Sequence, residues 1–312
     1  MLVAITICTK QRPVLLSAAL ASLVRLQTPK GVTIKVVVIE NDTAEHSRKI
    51  VEEFASALDI YYFLETEPGL SPARNRCIKE ALQLGADWIA STDDDAEVHS
   101  GWISAFVDAS SRHPQTLAFM GRSRFLYPTR LPEWFPAPNS TPIATGTIAS
   151  LYSTSNAFYC RDVFAADGLD MRFDMDFRFS GGEDTEFFTR LRLKHGPIMW
   201  VEEALVFEVV VAERNSVRWR FSRALRDGKN LGRIYVKHFG KVAGTFSSLH
   251  TAYRLVVFGL LKLLRGGATM LVNDQLGLKL AYQGLNDLVF TAGLLMSNFT
   301  TPPTPYRKIH GH

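Results

Sequence analysis

The sequence predicts an α/β chain with a mixed, mainly parallel sheet and a helical C-terminal extension. Three observations carry this. Across residues 1–92, short apolar and β-branched runs alternate with longer helical patterns, as in consecutive βαβ units. Polar residues gather where those runs end, and in open parallel sheets ligands sit at the carboxyl ends of strands. From Val217 onward the pattern turns helical and amphipathic.

Taken in order, residues 3–8, 33–39, 60–64 and 88–91 read as buried strands, and 14–26, 44–58 and 71–84 as the helices between them. A helix follows over 101–113. Residues 127–142 hold five prolines and read as an irregular segment, either a binding loop or lid or a surface insertion. Residues 147–160 read as a strand pair. Gly181-Gly182 precedes a helix over 183–194, and the C-terminal helices are expected to break at Gly228, Gly240 and Gly266-Gly267. The last residues, 301–312, are expected to fray. Two units are expected: an α/β domain over 1–215 and a basic helical extension over 216–312.

At 312 residues, 46% hydrophobic and 21% charged, the chain can bury a sizeable core, which excludes a disordered chain or a disulfide-dense miniprotein. Cys8, Cys77 and Cys160 are odd in number and form no C-x-x-C pair, as expected in a reducing compartment. The N-terminus lacks a basic leader pattern, and no uncharged apolar run reaches about 18 residues. A cytoplasmic protein is expected. The net charge of +4 divides unevenly: residues 214–265 hold 12 Lys/Arg against Asp227 alone, leaving 23 basic against 30 acidic residues elsewhere. An anionic partner is expected for the basic segment.

Four segments could carry chemistry. Asp93-Asp94-Asp95 closes a buried strand. If extended, Asp93 and Asp95 point the same way and could hold one hard cation, although an acidic turn is the plainer alternative. In GLSPARNR, Ser71 suits an N-cap and Pro72 the first helical position, which places Arg74 and Asn75 in the first turn. Cations there oppose the helix dipole, so a phosphate or uracil partner competes with simple solvation. Glu40-Asn41-Asp42-Thr43 could read a nucleobase edge or make an ordinary turn. Gly181-Gly-Glu-Asp-Thr-Glu186 opens a helix with acids suited to its N-terminus.

Together these segments resemble the family 2 glycosyltransferases, inverting nucleotide-sugar enzymes with the GT-A fold. The resemblance runs in order through CTKQRP (8–13), ENDT (40–43), GLSPARNRC (69–77), DWIASTDDDA (87–96) and GGEDTEFFTRL (181–191), and covers roughly residues 1–215. Residues 122–160, with EWFP and STSNAFYCR, are similar to glucosyltransferases of succinoglycan-type exopolysaccharide assembly.

The resemblance implies that Thr9, Arg12, Glu40, Asn41, Asp42 and Arg74 line a uridine pocket, with Asn75 beside them. It implies that Asp93 and Asp95 hold Mg²⁺ or Mn²⁺ on the diphosphate and that Asp94 meets ribose or sugar. Asp184 matches the general base, with Glu183 second. Such residues suit an in-line displacement at the anomeric carbon: a carboxylate takes the acceptor proton, and a cation takes up charge on the leaving UDP.

Where many relatives carry a histidine, this chain has Glu208, either a further metal ligand or a salt-bridge partner for Arg214. A processive Q-x-x-R-W motif is missing, so one sugar is expected to be added per encounter. Arg218, Arg220, Arg223, Arg226, Lys229 and Arg233 interleave with apolar residues. This stretch is either a solvated helix or one that meets an anionic membrane, which the apolar helices that follow, with Lys262 and Arg265, favour; Arg223 and Arg226 could face a diphosphate. The expected partners are a UDP-sugar donor, a polyprenyl-diphosphate-linked saccharide acceptor and the inner face of the cytoplasmic membrane, with no nucleic acid. A non-catalytic assembly partner is the main alternative, and a metal-dependent nucleotidyltransferase ranks below it.

Overall fold

The computed structural model describes residues 1–127, 131–135, 141–150, 152–210, 212–297, 299–300 and 302–305. Eight strands form one sheet: β1 (Leu2–Thr9), β2 (Thr33–Glu40), β3 (Ile60–Leu64), β4 (Trp88–Asp93), β5 (Ala96–Val98), β6 (Ala118–Leu126), β7 (Asn156–Cys160) and β8 (Met199–Val209). Their order is β3-β2-β1-β4-β7-β6-β8-β5. β1 pairs in parallel with both β2 and β4, while β7 and β5 run antiparallel to their neighbours. The chain leaves β1 toward β2 and β3, then returns to place β4 on the other side of β1. The β1–β4 boundary is therefore the switch point of the sheet.

Alternation along β1 sends Val3, Ile5 and Ile7 to one face and Ala4 to the other. The first face packs against α1 (Pro13–Val24), α2 (Arg48–Glu53) and α4 (Trp102–Arg112), through residues such as Leu20, Val51 and Trp102. The second packs against α3 (Leu70–Gln83) and α5 (Glu183–His195), through Ile78, Phe187 and Phe188. A stack of Trp88, Phe158 and Phe106, with centroids 4.6 and 5.1 Å apart, joins β4, β7 and α4. Buried Asn156 takes the Trp102 indole N–H at 2.8 Å and donates to the Arg122 and Ala204 carbonyls, tying β7 to β6 and β8.

Several local expectations are corrected. The helix expected over 44–58 is only Arg48–Glu53, because buried Glu40 accepts from the Ser47 amide and hydroxyl and holds the preceding loop. The strand expected at 88–91 extends to Asp93. Among the described residues of the pair expected over 147–160, Asn156–Cys160 is a strand and Ile148 makes one isolated bridge to Met199. Ser71 does not cap α3. Gly69 does, and the Ser71 hydroxyl donates to the Asp174 carbonyl.

After β8 come α6 (Val217–Met270) and α7 (Asp274–Met296). The helix is unbroken at Gly228 and Gly266-Gly267. It breaks once, at Gly240, where φ is +79°. The arm 217–239 and the arm 241–270 fold back there, and Tyr235 meets Thr251. Most of segment 301–312, expected to fray, and residues 128–130 and 136–140 of the proline-rich segment lie outside the described residues. Of the remainder, Trp134 and Phe135 pack on Tyr282 of α7, and Arg220 of α6 lies 4.2 Å over the Phe135 ring.

Candidate active site

The parallel register of β1 and β4 sets Cys8 beside Asp93, so the carboxyl ends of both strands lie side by side. Asp93 is the last residue of β4, and Asp94 and Asp95 form the turn into β5. The aspartates are therefore juxtaposed by a turn, not by the extended spacing expected from sequence. Thr9 donates to Asp94 at 2.8 Å, and Arg12 reaches Asp94 at 3.2 Å and Asp95 at 3.6 Å. Burial pushes the Asp94 carboxyl up to about 6 against the pull of Arg12, with Asp95 adding to the rise. Burial and Asp93 likewise raise Asp95, opposed by Arg214 and Arg12.

Pairing of Ala96 with Glu208 brings β8 to this turn. Glu208 does not take Arg214 as partner. Arg214 stands 3.7 Å from Asp95, and Glu208 accepts from Ser155 at 3.0 Å. Burial, then Asp93 and Asp95, push Glu208 up to about 7. Among the described residues no group of three or more His, Cys, Asp or Glu side chains stands in ligating geometry. The donor set still fits a hard divalent cation. Asp93, Asp95 and Glu208 are oxygen donors that act on one another electrostatically, with burial as the main cause of the rise at Asp95 and Glu208.

The second acidic motif arrives from α5. Gly182, with φ +86°, caps the helix, and Asn230 of α6 donates to the Gly181 carbonyl at 2.7 Å. A Cβ on Gly182 would stand 3.0 Å from that Asn230 amide. Glu183 is 2% exposed, and its Oε2 has no hydrogen-bond partner. Burial, then Asp184, push it up to about 7 against Arg74. Asp184 is half-buried. Burial raises it against Arg74, and one of its oxygens accepts from the Thr185 amide and hydroxyl.

Arg74 joins the two motifs, with Nε 3.2 Å from Glu183 and a terminal nitrogen 3.6 Å from Asp93. It lies in the second turn of α3, past the helix start that the sequence implied. The other residues expected in the nucleoside pocket divide by contact. Glu40 is fully buried on Ser47 and Tyr62. Asn41 donates to the Glu65 and Glu67 carbonyls and accepts from the Gly69 amide, which shapes the β3–α3 loop. Asn75 spends both ends of its amide on the Phe173 backbone. Asp42 stays at the rim. Burial alone would raise its carboxyl, but the Gln11 amide, the Thr43 N–H and the charges of Lys10 and His46 hold it low. Arg223, on α6, acts electrostatically on Asp184. Sequence reasoning missed Asn230, Ser155 and the Arg214–Asp95 contact. Ser155 stood inside the quoted STSN string, whereas Asn230 shows only as a polar residue between Gly228 and Gly232.

A sheet covered by helices on both faces, with an acidic cluster at its switch point, agrees with what known proteins show. The family model for Glycosyl transferase family 2 matches residues 4–166. The succinoglycan biosynthesis protein ExoM of Rhizobium meliloti is 33% identical over 236 residues, 74% of each chain. The chain belongs to glycosyl transferase family 2. Among solved structures, residues 1–349 of S. aureus TarS align with TM-score 0.56 and 15% identity, over 96% of this chain and 91% of that one. The mannosyltransferase PcManGT from Pyrobaculum calidifontis, in complex with GDP-Man and Mn²⁺, aligns with TM-score 0.59 and 15% identity, over 95% and 87%. The fold is that of the GT-A glycosyltransferases.

Proposed function

We propose that this protein is an inverting hexosyltransferase that moves a sugar, with glucose as the first candidate, from a UDP-sugar to a lipid-linked oligosaccharide in exopolysaccharide synthesis. The observation that carries the proposal is the meeting of two acidic motifs, Asp93–Asp95 and Glu183–Asp184, across Arg74 at the switch point. The succinoglycan relative supports the pathway, and the UDP-GlcNAc complex of TarS supports a UDP-sugar as donor.

Asp93 and Asp95 are the residues that would hold Mg²⁺ or Mn²⁺, which supplies charge neutralisation at a leaving diphosphate. Thr9 and Arg12 fix Asp94 toward the ribose or sugar, and Asp42 sits at the nucleoside end with Gln11. Asp184 is better placed than Glu183 to take the acceptor proton. Glu183 is closed off and engaged by Arg74, whereas Asp184 is half-buried on the first turn of α5. A carboxylate suffices there because the hydroxyl loses its proton only as the new bond forms. Residues 1–215 would form the catalytic unit. Residues 216–312 would bring it to the inner face of the cytoplasmic membrane, where a polyprenyl-diphosphate acceptor resides.

UDP release from a panel of UDP-sugars, with a lipid-linked acceptor extract present, tests this. One donor is expected to be turned over, with Asp184→Asn slower by about 10²-fold or more. Equal release by Asp184→Asn would refute the assigned base, and no release from any donor would favour a non-catalytic partner.

A further inference from the structure

The arm 241–270 of α6 and α7 has its side chains distributed inside out. α7 runs antiparallel to the arm, with Gly259 against Gly284 and Gly266 against Gly277. The fully buried residues of the arm are all small (Gly244, Ser248, Ala252, Gly259 and Gly266), while Leu263 and Met270 close on Gly284 and Gly277 of α7. Most of its other large apolar residues are exposed. Phe246, Tyr253 and Leu264 are 72%, 70% and 73% exposed, and Leu271 and Val272 at the tip are 89% and 90% exposed. A helix pair in water buries its large side chains against each other. Small residues between helices and large ones outside are the arrangement used where lipid is the surrounding solvent.

Charge narrows the occupant further. At 100° per residue, Arg254 and Arg265 follow one edge of the apolar face, and both are exposed. Neither they nor Lys241 have a carboxylate within ion-pair distance among the described residues, whereas Lys262 is engaged with Asp287. A second copy docked through this face would add its own unpaired Arg254 and Arg265 to the same interface, raising its like charge. An anionic lipid surface accepts both the apolar residues and the cations. No described helix is long and apolar enough to cross a membrane, which leaves a hairpin lying in the interface. The basic stretch singled out from sequence is spent differently. Arg220 covers Phe135, Lys229 and Arg226 are largely buried, and Arg233 lies 4.7 Å over Phe177.

We infer that the hairpin of residues 241–296 is a membrane-docking surface, which inserts its outward apolar face into the headgroup boundary of an anionic phospholipid bilayer. This deepens the membrane-peripheral reading above and depends on it only for the kind of partner. Within the extension 216–312, docking falls to the distal hairpin and not to the 218–233 stretch.

Flotation of the full-length protein with phosphatidylcholine vesicles, with and without phosphatidylglycerol, tests the inference. The protein is expected to float with the anionic vesicles, and 0.5 M salt is expected to weaken that binding without abolishing it. The double variant Phe246→Glu/Leu264→Glu changes only exposed positions, so its melting temperature and UDP binding should match wild type, and its vesicle affinity should fall at least tenfold. Wild type that stays unbound, or a double variant that floats equally, would overturn the inference. So would a wild-type dimer in solution that the double variant makes monomeric, which would assign the face to a second copy. UDP binding on the same samples separates the two proposals: vesicle binding without UDP binding sinks the donor assignment and leaves the docking surface standing.

Discussion

Arg74→Gln removes the guanidinium that reaches both acidic motifs, and its consequence can be worked out from the contacts. Arg74 is 12% exposed at its side chain and Glu183 3%, with 3.2 Å between them. At an effective dielectric near 20 and a charge separation of about 4 Å, the gross attraction is about 4 kcal/mol. Breaking a buried pair commonly costs about 3–5 kcal/mol. Glu183 can escape part of that cost by taking a proton, because it is already pushed up to about 7 by burial and Asp184. The sign follows from linkage. A carboxyl raised above its unfolded value binds more protons in the native state, so stability falls as pH rises between the two values. Losing Arg74 raises Glu183 further and extends that window upward. The variant should therefore lose about 2 kcal/mol relative to wild type at pH 6.5. The difference should grow above pH 7 by up to about 1.4 kcal/mol per unit. Urea unfolding at half-unit steps from pH 6 to 9 measures this, and adding Glu183→Gln should flatten the dependence. A loss that is the same at every pH, or that Glu183→Gln leaves unchanged, would refute the coupling.

Three other substitutions probe the surrounding structure. Glu208→Gln removes a carboxyl raised to about 7 by burial, Asp93 and Asp95; wild-type stability on its account is lost as pH rises from the ordinary carboxylate range through 7, so the variant should be more stable at pH 8 by roughly 1–3 kcal/mol in urea titrations. Asn156→Leu loses three hydrogen bonds and strands the buried Trp102 N–H, and should cost about 3–4 kcal/mol by the same assay. Gly182→Ala strains a left-handed cap against Asn230, and should cost about 1–2 kcal/mol of stability but at least tenfold in turnover, because it displaces Asp184.

The βαβ half of the molecule was legible because each buried strand is a continuous apolar run and each helix a distinct period, as in TIKVVVIE and the helix after Gly69. The far half was harder to read. β8 carries Glu202 and Glu203 in its first half, where Glu202 is engaged with Arg122 and the Trp200 indole, so its apolar signal is interrupted. The acidic motifs were legible as residue types in order, yet their contacts depend on pairings that local sequence does not carry. Glu208 meets the aspartate turn only because β5 lies against β8, and Arg74 meets Glu183 only because α3 and α5 share one face of the sheet. The apolar character of the distal helices was legible, but not which residues face outward, because amphipathic spacing does not say whether the large or the small residues face inward.

In the proposed function, the carboxylates at the β1–β4 switch point would hold a nucleoside diphosphate through a divalent cation. Calorimetric titration of UDP into the purified protein tests it most directly, with Mn²⁺, with EDTA, and with Asp95→Asn. Binding with Mn²⁺ that weakens at least tenfold in EDTA and in Asp95→Asn is the predicted result. No binding with Mn²⁺, or equal binding under all three conditions, would contradict it.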